Sequence, residues 1–130
     1  MESGRKLALV AAAGDVAILL IFAAAGRASH HEVGAESPAG IVATALPFLV
    51  GWAIAAWRLK PYEYQKLIVS GKSARAAAGT WLLAGVIGLF VRSLLEFQIV
   101  PLPFVVITLG FNGVLLVAWR ALLPRLARQQ

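Results

Sequence analysis

The sequence has no cysteine, a single methionine, two histidines and half as many acidic as basic residues. Without cysteine there is no disulfide, no thiolate metal site and no cysteine nucleophile. Charge is sparse as well: 14% of residues are Asp, Glu, Lys or Arg, against about 25% in soluble domains. There is no serine-hydrolase elbow, phosphate-binding loop, dinucleotide fingerprint or zinc-protease helix. His30 and His31, with Glu32 and Glu36 nearby, lack metal-ligand spacing, because adjacent residues do not share a helical face. No residue pattern implies a cofactor, and a membrane enzyme acting on lipid, with Arg27, His30, Arg92 and Glu96 gathered at the outer surface, is the weakest of the readings because no nucleophile–base pair is recognisable. Strands of a membrane barrel would alternate polar and apolar residues, and the apolar runs here do not.

Apolar length is what the chain does have. It is 60% hydrophobic over 130 residues, more than a single soluble domain of this size can hide. About 20 apolar residues suffice to cross a bilayer as a helix. Four windows qualify, at about 7–25, 38–57, 76–95 and 101–123, and the expected fold is an all-α membrane bundle of four transmembrane helices in one domain. Ser37-Pro38 reads as an N-cap followed by a first-turn proline. Pro101 and Pro103 mark the start of the fourth helix, and Pro124 marks its end. Pro47 falls within the second span and is expected to kink it. A basic start and the small residues Ala23-Ala24-Ala25 resemble a signal peptide, but Asp15 interrupts the apolar stretch, so the first span is expected to be retained.

The net charge of +6 is not read as a nucleic-acid signal, because the cations flank the apolar runs. Arg5, Lys6, Arg58, Lys60, Lys66, Lys72, Arg75, Arg120, Arg125 and Arg128 fall on one side; Arg27 and Arg92 fall on the other. Ten against two predicts that both termini are cytoplasmic, in a plasma membrane. Trp57 and Trp119 lie near the expected inner boundary, as interfacial anchors. The connection from Arg58 to Arg75 reads either as a short amphipathic helix on the inner leaflet or as a solvated basic loop.

Polar residues within the spans carry the functional leads, since each needs a partner. Asp15 shares a helical face with Ala8, Ala11, Ala12, Ile18 and Phe22, so it is expected to point into the bundle, as a proton- or cation-handling carboxylate or as a structural hydrogen-bonding group. Counting along the helices puts Asp15 roughly 12 Å and Asn112 roughly 16 Å from the inner edge. Asn112 and Thr108, one turn apart, are therefore the expected partners of Asp15 in a mid-membrane polar cluster. A second stripe runs through Trp81, Gly85, Gly88, Arg92 and Glu96, with Arg92 and Glu96 placed to pair. Together with Arg27 and His30 they form a candidate outer-side charged cluster, read either as an anion or headgroup site or as a structural ion pair.

Gly14-Asp15, the run from Gly26 to His30, the run from Pro47 to Trp52, Phe111-Asn112-Gly113 and Trp119-Arg120 resemble an uncharacterised prokaryotic family of small four-helix membrane proteins, a domain of unknown function. That resemblance covers nearly the whole chain; it implies the four-helix fold and no activity. Small multidrug exporters are also four-helix proteins with an acid in the first helix, but the ten-to-two charge bias argues against their dual orientation. Two functions follow as expectations. One is a small transporter or channel, in a homo-oligomer, using Asp15 and Asn112. The other is a non-catalytic subunit or scaffold of a larger membrane complex. A transporter is expected to lose flux with Asp15→Asn while still folding, and a scaffold to be nearly indifferent to it.

Overall fold

The computed structural model describes residues 2–30, 34 and 37–129. The described residues form four long helices and one short one: α1 (Glu2–Ser29), α2 (Pro38–Leu59), α3 (Tyr64–Leu67), α4 (Ser70–Glu96) and α5 (Leu102–Ala127). The described residues contain no strand. All four long helices are long and apolar enough to cross a membrane. They overrun the expected spans because their polar ends continue as helix.

The local signals act as expected at the start of α2. Ser37 Oγ accepts the backbone N–H of Gly40 (3.4 Å), and Pro38 takes the first turn. α2 then runs unbroken through the buried Pro47. α5 differs from expectation: it does not stop at Pro124 but continues to Ala127. So close to the helix end, the missing proline N–H removes a single intrahelical bond.

The long helices form a ring in which α1 packs on α2 and α5, and α4 packs on the same two. α1 and α4 therefore face each other across one diagonal. The α2–α4 seam is closely packed backbone to backbone. A Cβ at Gly51 would strike the Ala84 carbonyl oxygen, and one at Gly88 would strike Phe48. Inside the ring, Leu19, Phe48, Trp52, Ala55, Trp81, Ala84 and Leu116 form the main core. Ile21, Leu46, Leu82, Val86, Phe90 and Val114 point outward. This apolar exterior suits a hydrocarbon surrounding rather than water.

The start of α1, the end of α5, α3 and the 60–69 connection share one end of the ring. The C-terminal ends of α1 and α4 share the other. At the first end, α3 packs against α1, α4 and α5, and Leu67 is buried with Ala11 and Leu123. The basic connection is thus docked on the bundle rather than solvated throughout. Lys60 turns the chain in the left-handed region (φ 49°), and Lys66 Nζ donates to the Leu59 and Lys60 carbonyls (both 3.0 Å). The ammonium sits where the negative end of the α2 dipole favours it.

Candidate functional site

Along α1, Ala11, Asp15, Leu19 and Ala23 recur every four residues and are buried; along α5, Thr108, Asn112, Leu116 and Arg120 do the same. These two stripes face the ring interior, so α1 and α5 each carry polar side chains into it. Asp15 does point inward, but its partner is not Asn112. Arg120 grips the Asp15 carboxylate: Nη2 donates to Oδ2 at 2.8 Å, and Nε donates to Oδ1 at 3.0 Å and Oδ2 at 3.2 Å. Both side chains have zero solvent exposure. A two-pronged guanidinium–carboxylate contact fixes orientation as well as charge.

The pair is sealed from the 60–62 turn. Pro61 is buried, and its carbonyl accepts Arg120 Nη1 (3.3 Å). The Tyr62 hydroxyl donates to Asp15 Oδ2 (2.7 Å) and accepts the Trp52 indole N–H (2.7 Å). The Arg120 guanidinium also lies over the Tyr62 ring, 4.8 Å from its centre. Burial, and then the Asp15 charge, push the Tyr62 hydroxyl well above its ordinary value, so it stays a proton donor across physiological pH. A chain of contacts thus joins four parts of the structure, with Asp15 from α1, Trp52 from α2, Tyr62 from the connection and Arg120 from α5.

Trp119, expected at a lipid interface, instead lies on Gly14 and donates to the Ala11 carbonyl (3.4 Å). Gly14 and Trp119 let α1 and α5 come close enough for the ion pair beside them. Trp57 does face outward, at 79% exposure.

The other sequence-predicted residues gather at the opposite end. Asn112 is 1% exposed; its Nδ2 donates to its own helix's Thr108 carbonyl (3.1 Å). Asn112 Oδ1 and the Thr108 hydroxyl are buried without a hydrogen-bond partner among the described residues. No hydrogen bond joins either residue to Asp15. Asn112 lines a cavity of about 120 Å³, open toward the loop end and bounded by all four long helices. Arg27, His30, Thr44 and Arg92 line it too. Arg27 Nη1 donates to Thr44 Oγ1 (3.2 Å), and its Nη2 donates to the Gly34 carbonyl (3.3 Å). Arg92 pairs with Glu96 (2.9 Å), as the spacing predicts, and lies over the Phe104 ring at 4.6 Å. Arg27, His30 and Arg92 therefore do come together, around a cavity that reaches Asn112. His31, Glu32 and Glu36 lie outside the described residues.

Between the cavity and the ion pair lies the apolar core of Leu19, Phe48, Trp52 and Leu116. No three His, Asp or Glu side chains are grouped to hold a metal among the described residues. Chemically, the arrangement offers a polar pocket at one end, an apolar plug in the middle and a dry ion pair at the other end.

The sequence family described as a protein of unknown function, DUF3054, matches residues 12–123. The chain belongs to the DUF3054 family. No curated protein and no solved structure matches it. The DUF3054 match spans the Asp15–Arg120 pair, the Pro61-Tyr62 turn and the whole Asn112 cavity. It leaves out the first turns of α1 and the last residues of the chain.

Proposed function

We propose that this chain is a multi-pass plasma-membrane protein with both termini in the cytoplasm, and that it moves a small solute. The cavity at Asn112 is the outer vestibule, and the Asp15–Arg120–Tyr62–Trp52 contacts are the closed inner gate. One observation carries the reading: a single copy surrounds a cavity open at one end of the ring with a fully buried ion pair closing the other. A pathway through a helical bundle has to be shut somewhere, and a shut segment that must reopen is better built from a polar lock on a turn than from continuous helix packing. Tyr62 supplies that turn. The unpartnered Asn112 Oδ1 supplies a hydrogen-bond acceptor at the vestibule floor. Polar groups buried inside membrane helix bundles commonly mark solute or ion pathways.

Flux into reconstituted vesicles tests this. Purified protein is incorporated into vesicles loaded with a pH dye, and gradients of H⁺, Na⁺, K⁺, chloride and acetate are imposed in turn. At least one is expected to move faster than in empty vesicles. The double variant Asp15→Leu/Arg120→Met, which keeps the packing but removes the polar lock, is expected to stop that movement while remaining folded. If no gradient is dissipated by the wild-type chain, the scaffold reading stands instead, with the ion pair serving only to set helix register.

A further inference from the structure

At the termini end, outside the ring, α1, the 64–69 segment and α5 enclose a groove of about 690 Å³, several times the volume of the Asn112 cavity. Its walls are apolar, with Leu7 and Val10 on one side and Trp119 and Leu123 on the other. Its rim carries Lys6 and Arg128. No carboxylate lines it among the described residues. Lys6 is paired with Glu2 (3.1 Å), but both side chains are largely exposed, so the pair is weak and exchangeable. Arg128 spends one N–H on the Ile68 carbonyl (3.4 Å) and keeps its other donors. Tyr64, half exposed, packs beside Gly4 at the same rim.

We infer that this groove is a binding site for one anionic phospholipid of the inner leaflet, its acyl chain along Val10, Trp119 and Leu123 and its phosphate between Lys6 and Arg128. The charge arrangement selects that occupant. Apart from Arg120, which is buried against Asp15, nine of the twelve Lys and Arg residues lie at this end, and two of them sit where an apolar trough meets the polar rim. A zwitterionic headgroup would fill the trough equally well but would bring no net negative charge to Arg128, or to Lys6 beyond its exposed contact with Glu2. A cation near an anionic lipid surface contributes about 1 kcal/mol. Two of them correspond to a preference of roughly thirty-fold for an anionic over a zwitterionic lipid of the same chain length. The inference rests on the membrane placement proposed above and not on transport.

Native mass spectrometry of the purified full chain, incubated with equal amounts of phosphatidylglycerol and phosphatidylcholine, tests it. One phosphatidylglycerol per chain is expected, favoured by ten-fold or more over phosphatidylcholine. Lys6→Gln/Arg128→Gln is expected to bring the ratio close to one without changing the helical content or the unfolding midpoint, since both side chains lie at the surface. Equal retention of the two lipids by the wild-type chain overturns the site but leaves the membrane placement intact. A groove filled by a second copy, seen as a dimer that excludes lipid, also overturns it. Retention of neither lipid by the wild-type chain overturns the site as well, and leaves the membrane placement, which rests on the four apolar helices, as it stands.

Discussion

Asp15→Asn is expected to destabilise the fold by about 3–5 kcal/mol, and Arg120→Met by a similar amount. The reason is asymmetric. Asparagine keeps the shape and one oxygen of the Asp15 carboxyl, but it leaves the Arg120 guanidinium uncompensated with no exposure to water. An unpaired charge in that position costs more than the intact pair contributes, because the desolvation of Arg120 is no longer offset. Removing both charges together avoids the stranded ion. Asp15→Leu/Arg120→Met is therefore expected to regain most of the loss, as buried ion pairs replaced by apolar groups commonly do. Unfolding midpoints in a denaturing detergent series measure all three variants. Equal losses in the single and double variants would mean that the pair is not what destabilises the singles. The same reasoning revises the expectation from sequence alone, where Asp15→Asn was neutral for a scaffold. With Arg120 as partner it is not neutral under either reading, so flux has to be tested on the paired variant.

The second large effect lies at the α2–α4 seam. Gly51→Ala is expected to cost about 1–3 kcal/mol, and Gly51→Leu more. The added Cβ would meet the Ala84 carbonyl oxygen and, at 3.1 Å, the Gly88 nitrogen. Both are backbone atoms of a helix, so they move only if α2 and α4 separate. That separation also pulls Phe48 out of the notch at Gly88, where its Cα lies 3.1 Å from the ideal Cβ position. Gly110 is the control. A Cβ there would meet nothing within 4 Å, so Gly110→Ala is expected to gain about 0.5–1 kcal/mol from the lower entropy of the unfolded chain. The same detergent unfolding series distinguishes the two, with opposite signs.

Much of the fold was legible because it follows from the solvent. Four apolar windows of sufficient length, the Ser37-Pro38 start and the inward face of Asp15 all come from hydrophobic length, capping chemistry and helical period. Burial of Asn112 and Thr108 was legible for the same reason. The partner of Asp15 was missed because depth was counted at Cα positions. Side chains on a helix lean toward its N-terminus. α1 and α5 run in opposite directions, so Asp15 leans toward the termini end and Arg120 leans away from it. A long guanidinium on α5 therefore reaches the Asp15 carboxylate, although their Cα atoms start at different depths. Arg120 had been read as a cation at the inner boundary, and that position hid its direction. Tyr62 could not be found this way. It lies in a polar connection whose inward fold depends on the Lys60 turn and on Lys66 holding the end of α2, contacts that leave no periodic trace. Pro124 misled for a simpler reason: a proline in the final turn removes one bond and need not end the helix. Gly110 and Gly113 lie one turn apart on α5, yet of the two only Gly113 approaches a neighbour, Trp81 at 3.3 Å.

Because the chain has no cysteine, single-cysteine labelling reads the two ends of the ring without background. Ala45 lines the Asn112 cavity, and Ala55 lies beside Trp52 toward the ion pair; both are buried. Ala45→Cys and Ala55→Cys are each treated with a small, charged, membrane-impermeant thiol reagent, in intact cells and in inside-out vesicles. With an outer vestibule and a closed inner gate, Ala45→Cys reacts in intact cells only, and Ala55→Cys reacts from neither side. Reaction of Ala45→Cys from the inner side, or of Ala55→Cys as fast from the inside as Ala45→Cys from the outside, would contradict the account.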